Sequence, residues 1–235
     1  MLDFHFEEEM SSMHKSARLS LYTKGMTCAK CHVRKPRRYC PGVKGDICSI
    51  CCGTEREVTV DCPLDCPYLQ EARKHEHSAE LPRDLPNKDI RFTEEFLEER
   101  QPLVIAASRG LTAAALDTPG AVDQDLSDAL DSLIRTLRTR ESGVYYESRP
   151  ANPAANRIYG LLQTGIEEYR KQERERLGMT HTRDSDVLAV LVFLERLELT
   201  RVNGRPRGRA FLDYLRNSLG AEQHLPRASS LIVPG

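Results

Sequence analysis

The sequence predicts a mainly α-helical protein in which a small cysteine-rich zinc-binding module is followed by a four- to five-helix bundle. Three observations lead to this fold class. All eight cysteines lie between positions 28 and 66. Apolar residues recur at helical spacing through most of the region 92–220. Two prolines in the segment 81–87 mark a boundary between these regions.

The chain is accordingly divided into five segments. They are a polar N-terminal segment (1–27), a cysteine-rich zinc-binding module (28–78), a linker (79–91), a helical domain (92–220) and a C-terminal tail (221–235). The first residues lack the basic start and the apolar stretch of a secretory signal. The longest apolar run, 187–194, is too short to span a bilayer. We therefore expect a cytoplasmic protein without a membrane partner, in which clustered cysteines bind metal and do not form disulfides.

Hydrophobic stripes predict the helices of the second region. Five stretches are expected to be helical: about 93–117, 121–140, 153–178, 187–197 and 211–219. The first should be interrupted near Pro102, and Asn152 before Pro153 has the pattern of an N-cap with proline in the first turn. Each apolar stripe needs a partner face, which implies a helical bundle.

The cysteines occur in pairs whose spacing suits a metal ion. Cys28-x2-Cys31 and Cys48-x2-Cys51 each allow one tight turn to aim two thiolates at the same ion. Sixteen residues separate the two pairs, as in a four-cysteine zinc ribbon. The other four make a second set: Cys40, Cys52, Cys62 and Cys66. Two zinc ions are therefore expected, although this arithmetic leaves other pairings open.

Backbone preferences around the cysteines add detail. Proline follows three cysteines of the second set and favours extended backbone at each of them. We expect a short strand over 57–60 and a helix from Cys66 to about His75. Cys51 and Cys52 are adjacent, and in extended backbone their side chains would point toward two different sites. A knuckle, a hairpin and a terminal ligand-bearing helix would form a treble-clef-like or cross-brace finger.

The cysteine module resembles the HIT- and MYND-type cysteine fingers. The resemblance covers about forty residues and rests on Cys28-x2-Cys31, Tyr39-Cys40-Pro41, Cys48-Ser49 and Cys62-x3-Cys66. The chain departs from that pattern near Val43, where those fingers have a cysteine, and in the Cys51-Cys52 doublet. The resemblance implies a module that binds proteins, in some members within RNA-processing assemblies.

A run of basic residues overlaps the first half of the module. Seven basic residues and no acidic one lie between Lys24 and Lys44. Four of them are candidates for binding nucleic acid or another anion: Arg34, Lys35, Arg37 and Arg38. The competing interpretation is charge compensation, because four thiolates around Zn²⁺ leave a negative centre that nearby cations would offset. The chain as a whole is not a polycation, with a net charge of -1, so compensation is slightly favoured.

The motifs give no indication of catalysis. No segment matches a nucleotide-binding loop or a nucleophile elbow, and no small-molecule substrate is evident. We therefore expect a non-enzymatic zinc-binding adaptor that acts through a protein or RNA partner. Two alternatives remain open. One is a redox or metal sensor that uses the cysteine cluster, and the other is an iron–sulfur protein, because Cys-Pro pairs also occur in cluster-binding loops.

Overall fold

The computed structural model describes residues 27–76 and 80–220. The predicted N-terminal segment, apart from Thr27, and the predicted C-terminal tail lie outside these residues. The described chain contains eight helices and one two-stranded sheet, so the prediction of a mainly helical protein is confirmed. The number of helices in the bundle stays a prediction. The chain divides into two compact units, one ending at Ala72 and the other starting at Arg73.

The first unit, here called the finger, is built on a short antiparallel hairpin and two short helices. Its elements are β1 (Arg38–Cys40), β2 (Gly45–Ile47), α1 (Ser49–Thr54) and α2 (Pro67–Arg73). Cys40 pairs with Gly45 across the hairpin. Successive side chains of a strand point to opposite faces, so Cys40 is buried while its neighbour Tyr39 is exposed. The helix expected from Cys66 to about His75 is present and ends at Arg73.

The prediction of a strand over 57–60 is wrong. These residues form a turn in which the N–H groups of Val58, Thr59 and Val60 all donate to the Glu55 carbonyl, at 3.1, 3.2 and 3.1 Å. Glu57 has a φ of 52°, in the left-handed region, which breaks an extended chain. The local turn thus overrides the β-propensity of the Val-Thr-Val sequence.

The second unit, here called the helical unit, contains the other six described helices. They are α3 (Glu94–Glu99), α4 (Gln101–Leu116), α5 (Asp123–Glu141), α6 (Pro153–Leu177), α7 (Asp184–Arg201) and α8 (Ala210–Gly220). The predicted N-cap is present, because Asn152 accepts a hydrogen bond from the Ala154 N–H at 2.9 Å. The expected interruption falls at Arg100, and Pro102 lies in the first turn of α4. Gly178 ends α6 with a φ of 79°, a conformation that glycine adopts easily.

The central helix of this unit is α7. It packs against α4, α5 and α8, and both α4 and α5 also pack against α6. Every residue from Val187 to Glu198 is buried. The stretch 187–194 is apolar on all sides, and such a helix is stable only when neighbours surround it, which explains the position of α7. None of the described helices combines the length and the apolar character needed to cross a membrane.

A buried arginine joins the end of the predicted linker to α7. Arg196 is 1% exposed and donates to the carbonyls of Asn87 and Ile90 at 3.1 and 2.9 Å. Its guanidinium also lies over the Phe92 ring, 4.7 Å from the centroid. The last residues of the segment predicted as a linker, 79–91, are therefore held by the helical unit.

Candidate metal centre

Four cysteines of the finger come together, and they are the four predicted as the first set. The sulfur atoms of Cys28, Cys31, Cys48 and Cys51 all lie within 4.8 Å of one another. Around a tetrahedral zinc ion with Zn–S bonds of about 2.3 Å, the sulfurs would lie about 3.8 Å apart. This first cluster therefore fits one metal ion after small side-chain adjustments. All eight cysteines of the chain are free thiols.

A tight knuckle presents the first two thiols. The Cys28 N–H donates to the Arg34 carbonyl, and the His32 N–H donates to the Cys28 carbonyl, both at 2.8 Å. His32 has a φ of 56°, which reverses the chain directly after Cys31. The Ala29 N–H donates to the Asp46 carbonyl of β2 at 2.7 Å, which holds the knuckle against the hairpin.

The start of α1 presents the other two thiols. Cys48 is the N-cap residue, and its sulfur accepts from the Cys51 N–H at 3.4 Å. The Cys28 sulfur accepts from the N–H groups of Lys30 and Cys48, at 3.4 and 3.2 Å. Backbone N–H groups at a helix start favour negative charge, so this arrangement stabilises thiolates, which are the metal-binding form.

The thiols of the first cluster cannot all ionise without a cation. Burial opposes ionisation of Cys28, but N–H groups of Cys31, Cys48 and Lys30 outweigh it and lower its pKa to about 6. Burial and the neighbouring thiols instead raise the pKa of Cys51 to about 12. A divalent cation removes this conflict, because its charge favours the thiolate form of every ligand.

One of the four predicted anion-binding residues lies against the first cluster. Arg34 is hydrogen-bonded to the Cys48 sulfur, and this contact raises the pKa of the guanidinium. The charges of Cys31 and Cys51 act in the same direction. For Arg34, the contact supports the interpretation as charge compensation.

The other three basic candidates have different surroundings. The Arg38 guanidinium lies over the Tyr68 ring, 4.0 Å from its centroid. Lys35 and Arg37 are exposed. The four residues predicted as one patch thus divide into one exposed side chain with a thiol contact, one half-buried side chain with a cation–π contact, and two further exposed side chains. Their binding of nucleic acid stays a prediction.

The second predicted set is less tightly assembled. Its four cysteines line one pocket in the finger: Cys40, Cys52, Cys62 and Cys66. Among the described residues, however, only the first cluster brings three or more candidate ligand atoms within 4.8 Å of one another. The expected binding of a second ion therefore stays a prediction.

The Cys51-Cys52 doublet lies in α1, so the expectation of extended backbone there is wrong. The Cys48 N-cap starts the helix before the doublet, and consecutive helical side chains diverge by about 100° instead of about 180°. The divergence still separates the two thiols. Cys51 belongs to the first cluster, and Cys52 lines the pocket.

Arg56 lines the pocket together with Arg38 but was not among the predicted site residues. A signal was available, because Arg56 is the one basic residue between Cys52 and Cys62. The predicted basic candidates all came from the run between Lys24 and Lys44, and Arg56 lies outside that run.

Comparisons of the chain with protein-family models, with curated proteins and with solved structures gave no match. The metal-binding interpretation therefore depends on the four sulfurs of the first cluster and on the N–H groups and the guanidinium around them.

Proposed function

We propose that this protein is a non-enzymatic zinc-binding adaptor of the cytoplasm, in which zinc holds the finger and the finger binds a partner protein. The supporting observation is the closed set of four thiols within 4.8 Å. Structural zinc sites have four protein ligands, whereas catalytic zinc sites keep one position for water or substrate. The expected count of two ions per chain, the second on Cys40, Cys52, Cys62 and Cys66, belongs to this proposal.

Zinc is preferred to an iron–sulfur cluster because the first cluster is compact. In an iron–sulfur cluster the thiolates bind different iron atoms, so their sulfurs spread more widely than four sulfurs around one ion. Four-thiolate tetrahedral sites are typical of zinc. Free thiols also agree with a reducing compartment such as the cytoplasm.

A partner protein is preferred to RNA because the finger exposes large apolar side chains. Val33 is 81% exposed and Ile50 is 52% exposed. Covering these two side chains with a protein surface would remove apolar area from water, which is favourable. Of the basic residues, Arg38 covers a tyrosine ring, and Arg34, although exposed, contacts a ligand sulfur, so both already have a contact that involves their charge.

A redox sensor is the second candidate, and the surroundings of Cys31 favour it. Cys31 is half-buried, while the other three thiols of the first cluster are buried. The N–H groups of Arg34 and Val33 lower its pKa. An accessible thiol with a lowered pKa is the first to be oxidised, and its oxidation would release the ion.

Elemental analysis of the full-length protein, purified without added metal, tests the identity of the ion. Zinc in a colourless protein is expected, and iron in a brown protein would replace this proposal by the iron–sulfur alternative. Treatment with mild peroxide, followed by a reductant, distinguishes a sensor from an adaptor. A sensor would lose its zinc on oxidation and regain it on reduction. An adaptor would keep its partner bound throughout.

The partner is tested by crosslinking in native extract with a surface variant. The double variant Val33→Ser and Ile50→Ser should retain zinc but capture less of one specific protein. Leu116→Ser is the matched control, because Leu116 is 53% exposed but lies on α4 of the helical unit. Release of the captured partner by ribonuclease would assign RNA as the partner, and equal capture by all variants would contradict binding through this surface.

A further inference from the structure

Three segments of the finger converge on one thiol-lined pocket. β1 supplies Cys40, α1 supplies Cys52, and the segment leading into α2 supplies Cys62 and Cys66. Three of these thiols are buried and Cys52 is half-buried. Four thiols that meet from three segments of so small a unit suit a common metal ion, because four cysteines are a typical ligand set of structural zinc.

A glycine permits the close approach of the hairpin to the segment that contains Cys62. A side chain at Gly42, in the turn after β1, would have its Cβ 2.5 Å from the Asp61 carbonyl oxygen and 2.7 Å from a methyl group of Val60. Both distances are shorter than real contacts allow. Only glycine therefore lets the hairpin carry Cys40 beside the backbone that precedes Cys62.

The backbone also supplies a hydrogen bond to the pocket. The Glu57 N–H donates to the Cys62 sulfur, and Glu57 has a φ of 52°. A residue with a side chain adopts this conformation at some energetic cost, and such residues concentrate at functional positions. In the first cluster, too, N–H groups donate to sulfur and a residue of positive φ, His32, follows a ligand.

Two cations complete the surroundings. The side chains of Arg38 and Arg56 line the same pocket as the four thiols. A divalent ion with four thiolates carries a net charge of about minus two, and two arginines would balance it.

We propose that Cys40, Cys52, Cys62 and Cys66 bind a second zinc ion that is released more readily than the first, because the ion itself must draw these sulfurs together. Binding displaces the thiol protons to solvent and forms four Zn–S bonds. In the first cluster the sulfurs are already close, so less free energy is lost in assembling the site. This inference rests on the proposed binding of zinc by the first cluster.

Stepwise chelation of the full-length protein, followed by cysteine alkylation and mass spectrometry, tests the order of release. Two zinc ions per chain are expected at the start. Small amounts of chelator should expose Cys40, Cys52, Cys62 and Cys66 to alkylation as one group, while the other four thiols stay protected. One zinc per chain with these four thiols reactive before chelation would overturn the inference and the expected second ion, but would leave zinc binding by the first cluster and the adaptor role intact. No zinc at all would contradict both.

Neighbouring residues on α1 offer a matched pair of variants. Cys52→Ser should remove the readily released ion and keep the first cluster protected from alkylation. Cys51→Ser should have the larger effect, loss of the tightly held ion. If Cys52→Ser instead left two zinc ions, the inference would be wrong.

A milder variant avoids the loss of a ligand and so preserves the fold. Arg56→Gln should release the second ion about 10-fold faster, because neighbours of metal ligands contribute roughly 10- to 100-fold in affinity. Arg37→Gln, an exposed residue of the same finger, serves as its control and should leave both release rates unchanged. If Arg56→Gln released the second ion no faster than Arg37→Gln does, the proposed role of Arg56 in holding that ion would be wrong.

Discussion

The finger and the helical unit bury different kinds of core. Six of the nine buried residues in the finger core are cysteines, and the remaining three are Ile47, Val60 and Leu69. The core of the helical unit is aliphatic and is centred on α7. Three aliphatic side chains provide little hydrophobic stabilisation, so we expect the finger to depend on a bound ion, whereas the helical unit depends on buried apolar surface.

Removal of metal should separate the two units most clearly. A strong chelator is expected to unfold the finger completely, because folding of a small structural zinc site is coupled to metal binding. Most of the helical circular dichroism signal should remain. A fragment from Asn87 to Gly235 should likewise be helical and unfold cooperatively without metal. Collapse of the whole helical signal on chelation would mean that the two units form one cooperative domain.

A cavity in α7 should destabilise the helical unit and leave zinc binding by the finger unchanged, which is the opposite of the effect expected from chelation. Leu191 is fully buried, and Leu191→Ala is expected to lower the free energy of unfolding of the helical unit by about 2–5 kcal/mol. Urea denaturation followed by circular dichroism measures this change, and elemental analysis should give unchanged zinc. The control is Leu161→Ala on α6, which is 39% exposed and should cost less than about 1 kcal/mol. Loss of zinc in Leu191→Ala would contradict the independence of the units.

A buried carboxyl of α7 should make the helical unit sensitive to pH in the neutral range. Burial, with Asp123 and Glu195 nearby, raises the pKa of Glu198 to about 7. Its Oε2 atom has no hydrogen-bond partner among the described residues. An unfolded glutamate has a pKa of about 4.3, so between about pH 4 and pH 7 the folded state binds more protons and stability falls as pH rises.

Glu198→Gln cannot ionise and should remove this loss. Above pH 7 the variant is expected to be more stable than the natural protein by roughly 1–3 kcal/mol, and near pH 4 the advantage should disappear. Urea denaturation at several pH values measures the difference, in which any contribution of the finger cancels. Glu167→Gln, at an exposed position of α6, should show no such trend. A constant difference at all pH values would point to packing instead of ionisation.

The smallest expected effect distinguishes two neighbouring cations of the finger. Arg34→Gln should weaken zinc binding by about 10-fold, because Arg34 contacts the Cys48 sulfur, whereas Lys35→Gln should not. Zinc affinity is measured by competition with a coloured chelator. If both residues instead bind phosphate, each variant should change the log–log salt slope of RNA binding by about 0.7 and leave the zinc affinity unchanged.

The first cluster and the helices follow from short-range patterns. Cys28 and Cys31 share one turn, as do Cys48 and Cys51, so spacing alone indicates which thiols can meet an ion. The helical stripes and the Asn152 cap likewise depend on residues within a few positions of each other. These parts of the protein could be predicted because the forces that determine them act locally along the chain.

Other features required contacts between residues that are distant in sequence. Arg196 follows the apolar run 187–194 and is charged, yet it is buried, and its guanidinium donates to the carbonyls of Asn87 and Ile90. Residues 57–60 have strand propensity, yet Glu57 turns there and directs its N–H to Cys62.

The spacing of the cysteines predicted one metal ion for each of the two sets, and only the tertiary structure distinguished the sets from each other. The knuckle and the start of α1 bring the first four sulfurs within 4.8 Å, whereas the second four come from three separate segments and stay less tightly assembled. Local sequence determines which thiols can be neighbours. How closely they approach depends on the packing of those segments against one another, which no short stretch of sequence contains.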